Sequence, residues 1–126
     1  MALFTFVVED SRTIRDNLIP ALEDLTDATV SGFAETERDA HGWLVSHPGE
    51  WQLLIVDLFL KEGSGLGVLR RCRDRLPRQR AVVLSNYVNA DIRARCMALG
   101  ANAVFHKSKE LDAFFEYCKE EAHPQS

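Results

Sequence analysis

Five short apolar runs, each followed by an amphipathic stretch, constrain this chain more than any other feature. Leu3 to Val8 is apolar apart from Thr5 and stops at Glu9-Asp10. Trp51 to Val56 stops at Asp57, Ala81 to Leu84 at Ser85-Asn86, and Ala103 to Phe105 leads into His106-Lys107. Ala28 to Phe33 is a weaker run, polar at its start. Strands covered on both faces are apolar almost throughout, because neither side meets water. The runs therefore predict buried parallel strands.

The stretches between them predict helices. Ser11 is placed to cap the first, in which Ile14, Leu18, Leu22 and Leu25 recur at helical spacing, and Pro20 predicts a kink or an early end. Ala40, Trp43, Leu44 and His47 mark a second helix, stopped by Pro48-Gly49. Val68, Leu69, Cys72 and Leu76 mark a third that ends before Pro77. Ile92, Cys96 and Leu99 share a face of a fourth, closed by Gly100, and Leu111, Phe114, Phe115 and Cys118 stripe a fifth. Strand and helix alternating five times predict an α/β fold, a parallel sheet with helices on both faces and right-handed crossovers. The 126 residues suit one domain spanning 1–126, with a polar, frayed tail from about Glu120.

A net charge of −4 argues against general binding to nucleic acid or anionic membranes. The apolar run around Leu53–Leu60 is too short to span a bilayer. No positively charged leader with an apolar core opens the chain, so a cytoplasmic location is expected. Cys72, Cys96 and Cys118 are widely separated, form no CxxC pair and lie on apolar stripes, which predicts reduced packing thiols. Arg70, Arg71, Arg73, Arg75, Arg78 and Arg80 read as a solvated basic face, with docking to an acidic partner as the sharper alternative. Gly42 and Gly67, inside helices, have no account in the sequence.

In open parallel sheets, ligands bind beyond the carboxyl ends of the strands. Glu9, Asp10 and Asp57, the Ser85 hydroxyl and the Lys107 ammonium would converge on that rim. Crowded carboxylates repel one another, and a hard divalent cation relieves the repulsion. A carboxylate is also a nucleophile able to form an acyl phosphate, with a lysine and a hydroxyl to hold the phosphoryl oxygens.

These residues fall where receiver domains of two-component response regulators carry an acidic pair, a phosphoacceptor aspartate, a Thr/Ser and a lysine. The chain resembles that CheY-like family over essentially its whole length, including Val7-Val8-Glu9-Asp10-Ser11, Leu54-Ile55-Val56-Asp57-Leu58, Gly63-Ser64-Gly65 and Gly100-Ala101. The resemblance implies a flavodoxin-like (βα)5 fold with strand order 2-1-3-4-5. It implies that Asp57 accepts a phosphoryl group from a sensor histidine kinase or histidine phosphotransfer protein, with Mg2+ as cofactor and Mn2+ as a substitute. Asp10, Asp57 and the Phe59 carbonyl would ligate the metal, and Glu9 would act through a metal-bound water. Lys107 would pair with Asp57 at rest and with the phosphoryl group afterwards. Ser85 and the backbone N–H groups of Leu58 and Asn86 would contact that group. The implied output surface is helix 4, strand 5 and helix 5, with Asp91, Arg93, His106 and Lys109, facing a downstream protein.

The departures from the family pattern carry expectations too. The aromatic usually found three residues before the lysine is Val104, while Phe105 points to the other face. Ser108 replaces the usual proline after Lys107, which predicts a trans bond, since a cis one costs about 3 kcal/mol, and a cap for the last helix. Lys61 replaces another proline and predicts a freer loop after Asp57. Phe59 and Tyr87 border the acceptor and are bulky enough to obstruct water, lengthening the acyl phosphate's lifetime. The lead reading is a stand-alone receiver that is no enzyme beyond its own phosphorylation and dephosphorylation. The rivals are a pseudo-receiver interaction module, the excised front of a DNA-binding regulator, and an aspartyl phosphatase. The last lacks a general acid, because Phe59 stands where one is needed.

Overall fold

The computed structural model describes residues 3–120. Five strands and five helices alternate: β1 Leu3–Val8, α1 Arg12–Leu25, β2 Ala28–Ala34, α2 Glu37–Ser46, β3 Leu53–Val56, α3 Gly65–Arg71, β4 Arg80–Ser85, α4 Ala90–Ala98, β5 Ala103–His106 and α5 Leu111–Glu120. The strands form one parallel sheet of order β2-β1-β3-β4-β5. Residues 121–126 of the expected frayed tail lie outside the described residues, and Glu120 closes α5.

The pleat sorts the core into two layers. Phe6, Val8, Leu54, Val56, Val83 and Val104 pack with α2, α3 and α4 on one face. Leu3, Val7, Leu53, Ile55, Val82 and Leu84 pack with Leu18 and Leu22 of α1 and Phe114 and Cys118 of α5 on the other. Successive strand residues point to opposite faces, so an unbroken apolar run feeds both layers at once. Strand order reverses between β1 and β3, the position at which such sheets open a crevice at their carboxyl edge.

Four helices have side-chain N-caps, Ser11, Thr36, Ser64 and Asn89, each accepting from the backbone N–H three residues on. Gly100 closes α4 in a Schellman arrangement, its N–H bonding to the Met97 carbonyl and that of Ala101 to Cys96. Four expectations need correction. α1 is not shortened by Pro20, which is exposed, so the carbonyl it leaves without a donor faces solvent. α3 stops at Arg71, five residues short of Leu76. Arg75 breaks the run by turning inward, donating to the carbonyls of Cys72, Gln79 and Gly100 and to Asn102 Oδ1, so it is not part of a solvated basic face. Ser108 does not cap α5. Its hydroxyl donates to Asn86 Oδ1 at 2.9 Å, and the Glu110 carbonyl accepts the first helical bond, from Phe114. The bond before Ser108 is trans, like every other among the described residues.

Candidate functional site

Ladder bonds carry β1 and β3 side by side to their ends, with the Asp57 N–H donating to the Val8 carbonyl at 2.9 Å. Glu9, Asp10 and Asp57 each direct one carboxylate oxygen into a cluster whose members lie within 4.8 Å of one another. β4 ends at Ser85, whose carbonyl accepts from the Lys107 N–H at 2.9 Å, so pairing with β5 delivers the lysine to the same rim. Lys107 Nζ donates to Glu9 Oε1 at 2.5 Å and to Asp57 Oδ2 at 2.8 Å. The Leu58 N–H donates to Asp57 Oδ1 at 2.7 Å. Ser85 is fully buried, and its Oγ accepts from the Tyr87 N–H at 3.2 Å.

Glu9 is 3% exposed, and burial pushes its carboxyl above the ordinary value; bonds from Lys107 and Ser11 only partly offset this. Burial pulls Lys107 down, but its bonds to Asp57 and Glu9 outweigh that, and its net shift is upward. The site therefore holds a firm cation against carboxylates crowded beyond what one lysine neutralises. A second hard cation of small radius fits this all-oxygen donor set.

Close packing fixes the backbone at Asp57. The Gly65 N–H donates to the Leu58 carbonyl at 2.9 Å, and a Cβ on Gly65 would stand 2.2 Å from the Asp57 carbonyl oxygen, so only glycine permits this approach. Phe59 pairs back onto Ser64 across the loop, and its exposed ring lies 4.4 Å from that of Tyr87.

The sequence profile of the response regulator receiver domain matches residues 5–119. The chain belongs to this family. The receiver domain of a DNA-binding response regulator from Colwellia psychrerythraea is similar to it, with 21% identity and a TM-score of 0.77 over 90% of this chain and 93% of that one. So is a Borrelia burgdorferi complex described as CheX-CheY-BeF3-Mg+2, with 14% identity and a TM-score of 0.80 over 90% and 84%. A Burkholderia pseudomallei response regulator, described with a phosphorylated aspartic acid, calcium ion and citrate, has 20% identity and a TM-score of 0.77 over 95% and 68%. At these identities the likeness establishes the fold. No curated protein matches the sequence significantly.

This receiver keeps Val104 and Phe105 on opposite sheet faces, as the strand period requires. The three cysteines are buried free thiols, and burial raises the Cys118 thiol to about 12. No described helix is long and apolar enough to cross a membrane. The loop after Asp57 is anchored where the sequence suggested freedom. Lys61 donates to Glu35 Oε1 at 3.0 Å, and Glu37 accepts from the Ser64 N–H at 3.0 Å and Arg71 Nε at 2.8 Å. Gly67 gains its account here, since a Cβ would meet the Glu37 carboxylate at 2.2 Å.

Glu37 and Arg15 escape a reading based on strand ends, and Glu35, directly after Ala34 of β2, is missed because the weak apolar run is read as ending at Phe33. Arg15 did leave a signal: with Leu18 and Leu22 it occupies the buried stripe of α1, an unusual place for a charge.

Proposed function

We propose that this receiver takes a phosphoryl group from a phosphohistidine protein, a sensor histidine kinase or a histidine phosphotransfer protein, onto Asp57. The observation that carries the reading is the convergence of the Glu9, Asp10 and Asp57 carboxylates within 4.8 Å, with Lys107 bridging two of them. In the transfer, the imidazole N–P bond breaks, a carboxylate O–P bond forms at Asp57, and the leaving imidazole recovers a proton. Asp10, Asp57 and the Phe59 carbonyl would hold Mg2+, with Glu9 acting through a bound water. The ion supplies charge neutralisation for the phosphoryl oxygens. Mn2+, of equal charge and similar oxygen preference, would substitute.

Lys107 is placed to exchange its Asp57 contact for a phosphoryl oxygen. The Leu58 N–H is already aimed at the acceptor. Ser85 Oγ would leave the Tyr87 N–H to reach the same group. That exchange biases a two-state equilibrium, read by a protein target on the α4-β5-α5 face. Arg93 ties this face together, donating to the Val104 carbonyl and pairing with Glu110. The protein would turn over no substrate beyond its own phosphoryl group.

Acetyl phosphate with Mg2+ tests this by intact mass. The expected adduct is about 80 Da, one phosphoryl group, and it is absent in Asp57→Ala. An unmodified wild-type protein, also inert to every histidine kinase of its organism, would mark it as a pseudo-receiver.

A further inference from the structure

Arg15 is 7% exposed, and burying a guanidinium is unfavourable by several kcal/mol unless it is well paired. Its Nη1 donates to the Glu9 carbonyl at 2.6 Å and lies 2.8 Å from Glu35 Oε2, while its Cζ stands 4.2 Å above the Phe33 ring. The second Glu35 oxygen takes Lys61 Nζ at 3.0 Å, and the Lys61 N–H reaches the Glu35 carbonyl at 3.4 Å. Two sides of the cation site are thereby tied to one buried group. The Glu9 carbonyl belongs to the peptide plane that leads into Asp10. Lys61 lies two residues beyond Phe59, on the loop that leaves Asp57.

We propose that Arg15 is a positioning residue for the divalent-cation site, fixing through Glu9 the approach of Asp10 and through Glu35 and Lys61 the loop that carries Phe59. This rests on the reading that Asp10, Asp57 and the Phe59 carbonyl take Mg2+. That ion demands near-ideal octahedral geometry at about 2.1 Å, so small displacements of a ligand weaken binding. Groups that orient ligands from behind typically alter metal affinity by about 10- to 100-fold. Phe33 shields the Arg15–Glu35 pair on one side and strengthens it.

The test titrates Mg2+ into wild type, Arg15→Met, Glu35→Gln and Lys61→Met, following the amide resonances of Asp10 and Leu58. Arg15→Met should raise the Mg2+ Kd about tenfold, and Lys61→Met, at the far end of the relay, roughly threefold. Saturating Mg2+ should restore the rate of labelling by acetyl phosphate in each. A purely structural role would lower the melting temperature and leave the Kd alone. A folded Arg15→Met protein that binds Mg2+ within twofold of wild type overturns the proposal. If Arg15→Met does not fold, unchanged Kd values in Glu35→Gln and Lys61→Met overturn it instead. A wild type without saturable Mg2+ shifts sinks the cation site itself, whereas normal wild-type binding with unaltered variants sinks only the role of Arg15.

Discussion

Each residue around Asp57 balances a charge or excludes a competitor. Asp10 adds a third negative charge to a cluster in which Lys107 contacts only Glu9 and Asp57. Without a divalent ion, Asp10→Asn should therefore raise stability, by on the order of 1 kcal/mol, the size of a repulsion between unit charges about 4 Å apart in a water-like dielectric. It should also abolish any stabilisation of wild type by Mg2+. Thermal melts with and without Mg2+ check both halves; a variant that stays Mg2+-responsive would show that Asp10 is no ligand. Phe59 and Tyr87 are expected to act on water. Their rings, 4.4 Å apart and exposed, form an apolar rim beside the acceptor. Phe59→Asn opens that rim and should speed hydrolysis of the acyl phosphate by on the order of tenfold. The decay of the phosphorylated mass after removal of acetyl phosphate measures it, and an unchanged half-life would exclude water obstruction.

At the scale of elements, the loop between β3 and α3 is held from α2. Glu37 takes the Ser64 N–H and Arg71 Nε while filling the space that Gly67 leaves. Ser64 uses Glu37 Oε1 and Arg71 uses Oε2, so Glu37→Gln keeps one neutral acceptor and turns an NH2 donor toward the other partner; it should cost about 1–2 kcal/mol. The Ser64 amide should lose protection against hydrogen exchange, while amides in β1 keep theirs. Uniform loss would instead mean that Glu37 stabilises the fold as a whole. Much of this architecture is legible in the sequence. Buried parallel strands leave unbroken apolar runs, so β1 is bounded as its run predicts, and the carboxylates that follow β1 and β3 and the lysine that follows β5 do meet at one rim, while the Ser85 hydroxyl bonds the Tyr87 N–H instead. α3 is misread because its end is set by Arg75 and Gln79, whose side chains bond distant carbonyls such as those of Gly100 and Trp51. Ser108 is misread because a hydroxyl free to cap a helix found Asn86 across the rim instead. Both outcomes depend on contacts remote in sequence, which local propensity does not carry.

Across the whole molecule, three half-buried carboxylates tie neighbouring elements together, and acid should release them together. Glu35 joins the β2–α2 turn to Lys61 and Arg15, Glu37 joins α2 to α3, and Glu110 joins the β5–α5 turn to α4 through Arg93. All three are held below the ordinary carboxylate value. Lys61 and then Arg15 are the main causes for Glu35, Arg71 and the Ser64 N–H for Glu37, and the His106 N–H and Arg93 for Glu110. A group depressed in the folded state contributes stability above its unfolded pKa, about 4.3 for glutamate, and loses it as pH falls through the folded value. Glu9 works in the opposite sense, because its raised value makes ionisation unfavourable in the fold. It contributes most below its unfolded pKa and loses that contribution as pH rises through the folded one. Urea midpoints should therefore fall from pH 5 toward pH 3, and more shallowly in a Glu35→Gln, Glu37→Gln, Glu110→Gln triple variant. Because these pairs meet solvent, added salt should flatten the wild-type slope as well. A triple variant as acid-sensitive as wild type would move the origin of acid unfolding away from these three links and toward the interior.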